Sequence, residues 1–285
     1  MILVADSGST KAAWILTFPN QAKQIEFRTR GINPFFLSEK EIVKILQHTS
    51  EIQPYLEDIK EIYFFGAGCS SPDSREIISN ALSQLFTNAF INVENDLTGA
   101  VYATCGIKPG LSCILGTGSN ICYFDGTKIY SGKHGLGYIL GDEGSGSYLG
   151  KKLVTDFLYH SMPKHLHKAF YANYKLDKES VMNELYTKSA PNFFLASLTK
   201  FMSGHKEDPY IQKLLYDGFE EFILTNVKSY PDYKHYTCHF IGSIAFLFKD
   251  ILQQVCDEHR VRVGKILQHP IEDLNRFILE REMKV

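Results

Sequence analysis

Two short segments rich in glycine and hydroxyl side chains have the residue types needed to bind phosphate. Residues 6–11 read Asp-Ser-Gly-Ser-Thr-Lys and residues 115–120 read Leu-Gly-Thr-Gly-Ser-Asn, and each segment separates two apolar runs. Both therefore predict a tight turn between two strands. Glycine lets backbone N–H groups approach a phosphate closely, and the hydroxyls add further donors. The carboxylate of Asp6 could also hold Mg²⁺, directly or through water.

The better-known nucleotide-binding motifs are absent from the sequence. The nearest match to G-x-x-x-x-G-K-[ST], residues 145–152, lacks the first glycine and the final hydroxyl. Residues 66–71 follow a predicted strand, but serine at their sixth position does not fit a dinucleotide fingerprint. One glycine turn alone is more often an ordinary hairpin with a polar tip. Two such turns at equivalent places in a repeated architecture favour a phosphate-binding pair.

Each half of the sequence repeats one order of elements: a strand, a turn and two more strands, then helices that alternate with strands. Alternation and turn residues predict strands at 1–5, 12–18, 24–29, 61–65, 90–93, 111–115, 120–124, 128–131, 236–241 and 261–267. Helices are predicted at 38–47 behind a capping box, from Pro72, near Leu97, after 141–150, over most of 178–229, at 245–258 and from Pro270. Two similar α/β units of this kind would enclose a cleft, a favoured place for a ligand.

The length and charge of the chain restrict the class of function. Its 285 residues (32.4 kDa) suit two domains, and 30 basic against 32 acidic side chains give a net charge of -2. Without a basic excess, neither nucleic acid nor an anionic membrane is an expected partner. The N-terminus does not resemble a signal peptide, and no apolar run reaches about eighteen residues. We therefore expect a cytoplasmic enzyme or ligand-binding protein.

The cysteines and histidines give only weak signals for a metal site. The six cysteines include no C-x-x-C pair, and several lie in apolar runs, which predicts buried and reduced thiols. His160, His165 and His167 are interrupted by Pro163. A solvated helix end is therefore a simpler interpretation of the histidines than a metal cluster.

Several segments occur in a fixed order that carries a resemblance to a known family. They are 6–11, 31–33 (Gly-Ile-Asn), 95–96 (Asn-Asp), 116–120, 141–145 (Gly-Asp-Glu-Gly-Ser) and 242–245 (Gly-Ser-Ile-Ala). With them the chain resembles the N-acetylglucosamine kinases and their BadF-type ATPase relatives, in the superfamily of sugar kinases, heat-shock proteins and actin. The resemblance covers nearly the whole chain, and its most diagnostic part is the pair 116–120 and 141–145.

The resemblance implies an α/β fold of two ribonuclease H-like (actin-like ATPase) domains with an inter-domain cleft. The first domain would be residues 1–105 together with the C-terminal helix, 269–285. The second would be residues 106–268, with a helical insertion. ATP would lie between the paired phosphate-binding turns.

The resemblance also implies roles for individual residues. Asp96 would be the catalytic base, which accepts the proton of a sugar's primary hydroxyl. Taken alone, its place at a helix start favours an N-cap, a role that Asn95 could fill instead. The sugar would be contacted by Asn33, Asp96, Ser119, Asn120 and Asp142. Mg-ATP would be bound by Asp6, Gly8, Ser9, Thr10, Lys11, Gly116, Thr117, Gly118, Gly242 and Ser243, with Asp6 as the metal ligand. For Glu143, a ligand contact and a role in capping the following helix both stay open.

The activity that the resemblance implies is ATP-dependent phosphorylation of an amino sugar, with Mg²⁺ as cofactor. The leading hypothesis is conversion of N-acetylglucosamine to N-acetylglucosamine 6-phosphate. Relatives with established specificity for this sugar often carry tryptophan where this chain has Leu136. N-acetylmuramic acid, glucosamine and N-acetylmannosamine therefore stay open as substrates. Because relatives are commonly dimers, a homodimer is expected.

Two hypotheses from other classes of function are retained. The first is a non-catalytic sensor of amino sugars or muropeptides that keeps the fold. The second is a BadF-type ATPase that activates a partner through an iron–sulfur cluster. The second requires closely placed cysteines, which the sequence does not indicate.

Overall fold

The computed structural model of the protein describes residues 1–8, 10–18, 23–132 and 135–282. For residue 282 it describes the backbone only. Ser9, one of the predicted phosphate-binding residues, lies outside this set. Within the described ranges, none of the helices combines the length and apolar character that crossing a bilayer requires.

The chain divides into two compact units, each with one five-stranded sheet. The first unit consists of Met1–Gly106 and Pro270–Val285, and the second consists of Ile107–His269. The described residues form these strands: β1 (Ile2–Ser7), β2 (Lys11–Phe18), β3 (Lys23–Arg30), β4 (Glu61–Gly66), β5 (Phe90–Asn95), β6 (Gly110–Leu115), β7 (Ser119–Phe124), β8 (Ile129–Ser131), β9 (Thr237–Ile241) and β10 (Arg262–Leu267).

The helices lie between and after these strands. In chain order they are α1 (Glu39–Gln47), α2 (Pro72–Leu85), α3 (Asp96–Thr104), α4 (Gly137–Leu140), α5 (Gly146–Leu158), α6 (Lys164–Tyr174), α7 (Lys178–Tyr186), α8 (Pro191–Ser197), α9 (Thr199–Gly204), α10 (Pro209–Thr225), α11 (Ser243–Leu247), α12 (Lys249–Glu258) and α13 (Ile271–Glu282). Helices α4 to α10 all fall between two strands of the second sheet and form a helical insertion.

The two sheets repeat one topology. The first has the order β3-β2-β1-β4-β5, and the second has the order β8-β7-β6-β9-β10. In each, the first three strands in sequence are antiparallel hairpin strands, and the remaining two run parallel to the first. Parallel strands need crossover connections, which the helices supply. The residues after β1 and β6, and those after β4 and β9, therefore occupy equivalent positions in the two units.

The C-terminal helix α13 is part of the first unit because it packs on that unit's sheet. It contacts β1, β2 and α3. Thr17 of β2 donates a buried hydrogen bond to Asn275 Oδ1 at 3.3 Å, and Tyr102 of α3 stacks on Phe277 with ring centroids 4.5 Å apart. Burial of one helix face on the sheet therefore holds α13 beside β1.

All ten predicted strands are confirmed, with ends that differ by at most two residues. The predicted capping box is also present, since the Ser38 N–H donates to Glu41 Oε2 at 2.9 Å ahead of α1. Two details were wrong. Strand β1 continues through Asp6 and Ser7, which the sequence placed in the turn, because both residues pair with β2. The single helix predicted at 245–258 is two helices, because the backbone leaves the helical conformation at buried Phe248 (φ -115°, ψ 28°).

Candidate functional site

The carboxyl ends of three parallel strands form one edge of the first sheet. The register pairs Ser7 with Gly66 and Gly66 with Asn95, so β1, β4 and β5 end level with one another. Asp6 is the last but one residue of β1, and Asp96 directly follows β5 as the first residue of α3. With neighbouring strands ~4.8 Å apart, this edge brings two carboxylates from distant parts of the sequence near each other.

Asp96 is not the cap of the helix that it begins. The cap is Asn95, whose Oδ1 accepts from the Thr98 N–H at 2.9 Å. Asp96 Oδ1 accepts a hydrogen bond from the Leu97 N–H at 3.0 Å. Because Asn95 satisfies the end of the helix, the Asp96 carboxylate is left for another role. This settles the choice of cap that the sequence left open.

Burial shifts the protonation of both carboxyl groups, and the charge of Asp96 adds to the effect at Asp6. Burial, and secondarily the negative charge of Asp96, raise the pKa of Asp6 to about 7. Burial also raises the pKa of Asp96, although the hydrogen bond from the Leu97 N–H opposes this. A carboxyl group with a raised pKa accepts a proton more readily near neutral pH, as a general base must.

The pair also has the donor chemistry that Mg²⁺ prefers. Among the described residues, no lysine, arginine or histidine forms an ion pair with Asp6 or Asp96. Mg²⁺ binds carboxylate oxygens and keeps several of its waters, so one or two carboxylates without a basic partner suit it. A bound cation would also offset the repulsion between the two carboxylates, which is the smaller cause of the raised pKa of Asp6.

Ser7 fixes the loop that carries Asn33 to the same sheet edge. The Ser7 hydroxyl donates to the Ile32 carbonyl at 3.0 Å and accepts from the Ile32 N–H at 2.9 Å. Asn33 is buried, and its Oδ1 accepts from the Phe35 N–H at 2.9 Å. Because Ser7 directly follows Asp6, the predicted sugar-contacting amide is held beside the strand that carries the predicted metal ligand.

Gly68 belongs to this region although the sequence analysis assigned it no role. Its loop is joined to β1 by the Ala67 N–H, which donates to the Ser7 carbonyl at 2.8 Å. Gly68 has φ +83°, and a Cβ atom at this position would lie 2.3 Å from Asn33 Oδ1. Only glycine therefore fits against Asn33. The glycines of residues 66–71 are the sequence signal for this close approach.

The first predicted phosphate-binding turn lies at the start of the same edge. The Gly8 N–H donates to the Lys11 carbonyl at 3.1 Å, and the Gly31 N–H donates to the Thr10 carbonyl at 3.0 Å. A Cβ atom at Gly8 would meet only the Lys11 carbonyl oxygen, at 3.6 Å. Gly8, Thr10 and Lys11 are exposed to solvent.

The second turn is joined to the helix that follows the Gly-Asp-Glu-Gly-Ser segment. The Gly116 N–H donates to the Gly118 carbonyl at 2.9 Å and closes the turn. The first N–H groups of α5, on Gly146 and Ser147, donate to the carbonyls of Gly116 and Thr117 at 2.8 and 2.9 Å. A Cβ atom at Gly116 would meet nothing within 4 Å. Packing within the protein therefore does not explain glycine at this position, whereas close approach of a phosphate would.

Asp142 lies against the second turn. Its Oδ1 accepts from the Ser119 N–H at 3.1 Å, and a Cβ atom at Gly118 would lie 2.8 Å from its Oδ2. Asp142 itself has φ +59°, a left-handed conformation that few residues other than glycine adopt. Burial raises the pKa of Asp142. The turn and this carboxylate thus form one structure, and the strained backbone of Asp142 is stabilised by it.

Asn120 and Glu143 flank this structure in the second unit. Asn120 Oδ1 accepts from the Ile121 N–H at 2.9 Å, and its Nδ2 lies 3.0 Å from where a Cβ atom of Gly135 would be. Glu143 Oε2 accepts from Nδ2 of buried Asn226 at 3.1 Å. This bond ties Glu143 to the end of α10. It favours a structural role for Glu143, which is to hold its segment in place, rather than a contact with a ligand.

Gly242 is a glycine that lies against the second turn, close to Leu115 and Gly116. Its φ is +121°, and a Cβ atom would lie 2.3 Å from the Leu115 carbonyl oxygen and 3.1 Å from the Gly116 nitrogen. Only glycine can therefore bring the chain after β9 so close to the second turn. Ser243, the first residue of α11, is exposed beside it.

The predicted residues are thus assembled in two groups. The first unit brings together Asp6, Gly8, Thr10, Lys11, Asn33 and Asp96. The second unit brings together Gly116, Thr117, Gly118, Ser119, Asn120, Asp142, Gly242 and Ser243. In each unit the group lies where the hairpin and the ends of the parallel strands meet, as the repeated topology requires.

The cysteines are closer in space than the sequence suggested. Cys113 and Cys238 have their Sγ atoms 3.4 Å apart on neighbouring strands, and Cys122 and Cys256 are near enough to affect the pKa of Cys113. Burial, together with these neighbours, raises the pKa of Cys113 well above its usual value. Cys113 is therefore a neutral thiol in the core of the second unit, and all four thiols are buried rather than placed at a surface.

The histidines in α6 and in the segment before it contact other side chains of the protein. His165 Nε2 lies 2.6 Å from Asp208 Oδ2, and the ring of His167 stacks on Phe157 and on His160. In the part of the chain that the structure describes, no group of three or more histidine, cysteine, aspartate or glutamate side chains is arranged to hold a metal ion.

Comparison with known proteins places this architecture in a family. No family profile matches the sequence. A candidate N-acetylglucosamine kinase of Porphyromonas gingivalis, known from its crystal structure, is 37% identical and superimposes with a TM-score of 0.91 over 99% of this chain and 100% of its own. The chain belongs to the N-acetylglucosamine kinase family. Its members are ATP-dependent sugar kinases, and the α/β fold of the actin-like ATPase type that was predicted from the sequence is confirmed.

Two other known proteins are less similar to this chain. The N-acetylmuramic acid/N-acetylglucosamine kinase of Clostridium acetobutylicum is 29% identical over 205 residues, which are 66% of this chain and 66% of that protein. A candidate N-acetylglucosamine kinase of Chromobacterium violaceum is 18% identical over 97% of this chain and 98% of its own. Its TM-score of 0.72 shows the same fold.

Proposed function

We propose that the protein transfers the γ-phosphoryl group of Mg-ATP to the primary hydroxyl of an amino sugar. N-acetylglucosamine is the leading substrate, and N-acetylglucosamine 6-phosphate and ADP are the products. One observation carries the proposal: Asp96 begins α3 without capping it, with a raised pKa and with Asp6 as its neighbour. Membership of a sugar kinase family supports the same reaction class.

Asp96 serves as the general base of the proposed reaction. The sugar hydroxyl attacks the γ-phosphorus while its proton passes to the Asp96 carboxylate, and the bond from phosphorus to the β,γ-bridging oxygen breaks. A positioned base of this kind contributes about 10²–10⁴-fold to the rate. Most of the remaining acceleration comes from positioning and from electrostatic stabilisation of the phosphoryl group.

The sugar is recognised by polar side chains of both units. Asn33, Asn120, Ser119 and Asp142 provide amide, hydroxyl and carboxylate groups for the sugar hydroxyls. Paired polar contacts suit vicinal hydroxyls, because an analogue that lacks one hydroxyl leaves a buried group without its partner. The hydrogen bonds that orient Asn33 and Asp142 within the protein support this assignment, since they fix both side chains before a ligand arrives.

The nucleotide is bound by backbone groups of the two turns. The first turn contributes Gly8, Ser9, Thr10 and Lys11, and the second contributes Gly116, Thr117 and Gly118. Gly242 and Ser243 lie next to the second turn and leave room for the adenosine part. Asp6 holds Mg²⁺, which neutralises charge on the phosphates when it is bound. Enclosure of both ligands between the two domains, a cytoplasmic location and a homodimer stay predictions.

A coupled assay of ADP release across a panel of sugars tests the proposal directly. The panel contains N-acetylglucosamine, N-acetylmuramic acid, glucosamine, N-acetylmannosamine and glucose, each with and without Mg²⁺. We expect Mg²⁺-dependent ADP release with at least one N-acetylated amino sugar. In NMR spectra of the product, coupling to phosphorus should locate the new phosphate on C6. ADP release that does not depend on any sugar would contradict the proposal.

The other two classes of function make different predictions for the same assay. A sensor would bind an amino sugar in calorimetry without releasing ADP. A partner-activating ATPase would hydrolyse ATP without sugar and would contain iron, for which buried thiols are unsuitable. The Asp96 carboxylate does not cap α3 and is available to accept a proton, which favours the kinase over the sensor and the partner-activating ATPase.

A further inference from the structure

The loop after Asn33 exposes two phenylalanine rings although it is tightly folded. The Phe36 and Leu37 N–H groups both donate to the Asn33 carbonyl, at 3.0 and 3.1 Å, and the Phe35 N–H donates to Asn33 Oδ1. Leu37 is buried, but Phe35 is 68% and Phe36 is 50% exposed. The backbone of this loop is therefore fixed, while most of Phe35 faces solvent.

The Phe35 ring borders the contact that positions Asn33. A Cβ atom at Gly68 would lie 2.3 Å from Asn33 Oδ1 and 3.1 Å from Phe35 Cδ2. The absence of a side chain at Gly68 thus lets an amide and an aromatic ring approach the same point. One side of this point is polar and the other is an exposed apolar surface, so it suits a ligand that carries both kinds of group.

An N-acylated sugar is such a ligand. Its hydroxyls require partners such as the Asn33 amide, and its acetyl methyl is its largest apolar group. Covering an exposed aromatic ring with an apolar group lowers the free energy, because apolar surface is removed from water. N-acetylglucosamine and N-acetylmuramic acid, which name the relative of Clostridium acetobutylicum, share the acetamido group.

From this geometry we propose that Phe35 is a specificity-determining residue, whose ring contacts the methyl of the substrate's N-acetyl group. The inference rests on the proposed function and deepens it, because it makes the acyl group a requirement for tight binding. Phe35 takes no part in proton transfer or phosphate binding. Its loss should therefore change the affinity for the sugar and leave the chemical step nearly unchanged.

The test compares Phe35→Ala with wild-type protein on acylated and free amino sugars. We expect KM for N-acetylglucosamine to rise about tenfold while KM for glucosamine and for ATP changes less than about twofold. Calorimetry without ATP should show the same loss of affinity for N-acetylglucosamine. Phe35→Leu, which keeps an apolar side chain, should restore part of it.

Phe90→Ala is the matched control, because Phe90 is 64% exposed on edge strand β5 of the same unit. Phe90→Ala should leave the KM for N-acetylglucosamine and the KM for glucosamine unchanged. Equal losses for acylated and free sugars, or an unchanged KM for N-acetylglucosamine in Phe35→Ala, would overturn the inference while the kinase activity stands. Failure of the proposed function itself is distinguishable, because the wild-type protein would then release no ADP with any amino sugar.

Discussion

Asp6 and Asp96 lie at one sheet edge, where burial, and secondarily the negative charge of Asp96, raise the pKa of Asp6 to about 7. Strand register explains their proximity, because β1 and β5 both run parallel to β4 and end level with it. Two partly buried carboxylates without a basic partner among the described residues repel each other. The folded protein tolerates this repulsion at a place where a cation and a proton-accepting group are both useful.

Replacement of Asp96 by asparagine should remove the base and keep the geometry. Asparagine can still accept from the Leu97 N–H, and Asn95 still caps α3. We expect kcat to fall by about 10²–10⁴-fold, with KM for the sugar within a few-fold of the wild-type value. The control is Asp73→Asn, a change at an exposed position in the first turn of α2. Near-normal turnover by Asp96→Asn in the coupled assay would rule out its assignment as base.

Stability should depend on pH through Asp6. Its pKa is about 7 in the folded protein and 3.8 as the ordinary value. Between these values the folded protein keeps a proton that the unfolded chain has released. The free energy of unfolding therefore falls as pH rises through this range and levels off above it.

The Asp6→Asn variant avoids this loss because asparagine does not ionise. Without metal, its Tm should exceed that of the wild type at about pH 8, and the difference should shrink towards about pH 5. Added Mg²⁺ should raise the Tm of the wild type at the higher pH and leave Asp6→Asn unchanged. Scanning fluorimetry measures both effects. A difference in Tm that is the same at both pH values would contradict the raised pKa.

Gly68→Ala should displace Asn33 and so weaken sugar binding. The new Cβ would lie 2.3 Å from Asn33 Oδ1, and the residue would have to keep φ +83°. We expect a stability loss of about 1–3 kcal/mol and a rise in KM for the sugar that exceeds any rise for ATP. Gly106→Ala separates the two causes, because Gly106 has φ +60° but a Cβ there would meet nothing within 4 Å. If both variants raise KM for the sugar equally, contact with Asn33 is not the reason.

Gly116→Ala should separate nucleotide binding from stability. Its Cβ would meet nothing within 4 Å, so the Tm should stay within about one or two degrees of the wild type. If a phosphate approaches this backbone, the added methyl should raise KM for ATP at least several-fold. Gly204→Ala, an exposed glycine in the same unit that is equally free of contacts, is the control. An unchanged KM for ATP in Gly116→Ala would remove the second turn from the nucleotide site.

Sequence reasoning located the elements well because their signals are local. Alternation marks the strands, and the capping box of Ser38 and Glu41 marks a helix start with a hydrogen bond between near neighbours. The turns at Gly8 and Gly116 are equally local. Errors arose where non-local contacts decide, as at Phe248, where a buried side chain coincides with a break in a pattern that reads as one helix.

The sequence by itself determined the two-unit α/β plan, the two glycine turns and the residue types available for chemistry. Only the tertiary structure decided which residues meet. Asp6 and Asp96 become neighbours through strand register, Gly68 and Asn33 through their close approach, and Cys113 and Cys238 through the pairing of β6 with β9. Such contacts join distant segments, and the residue types at either end do not encode the distance between them. They follow from how the sheets pair and the helices pack.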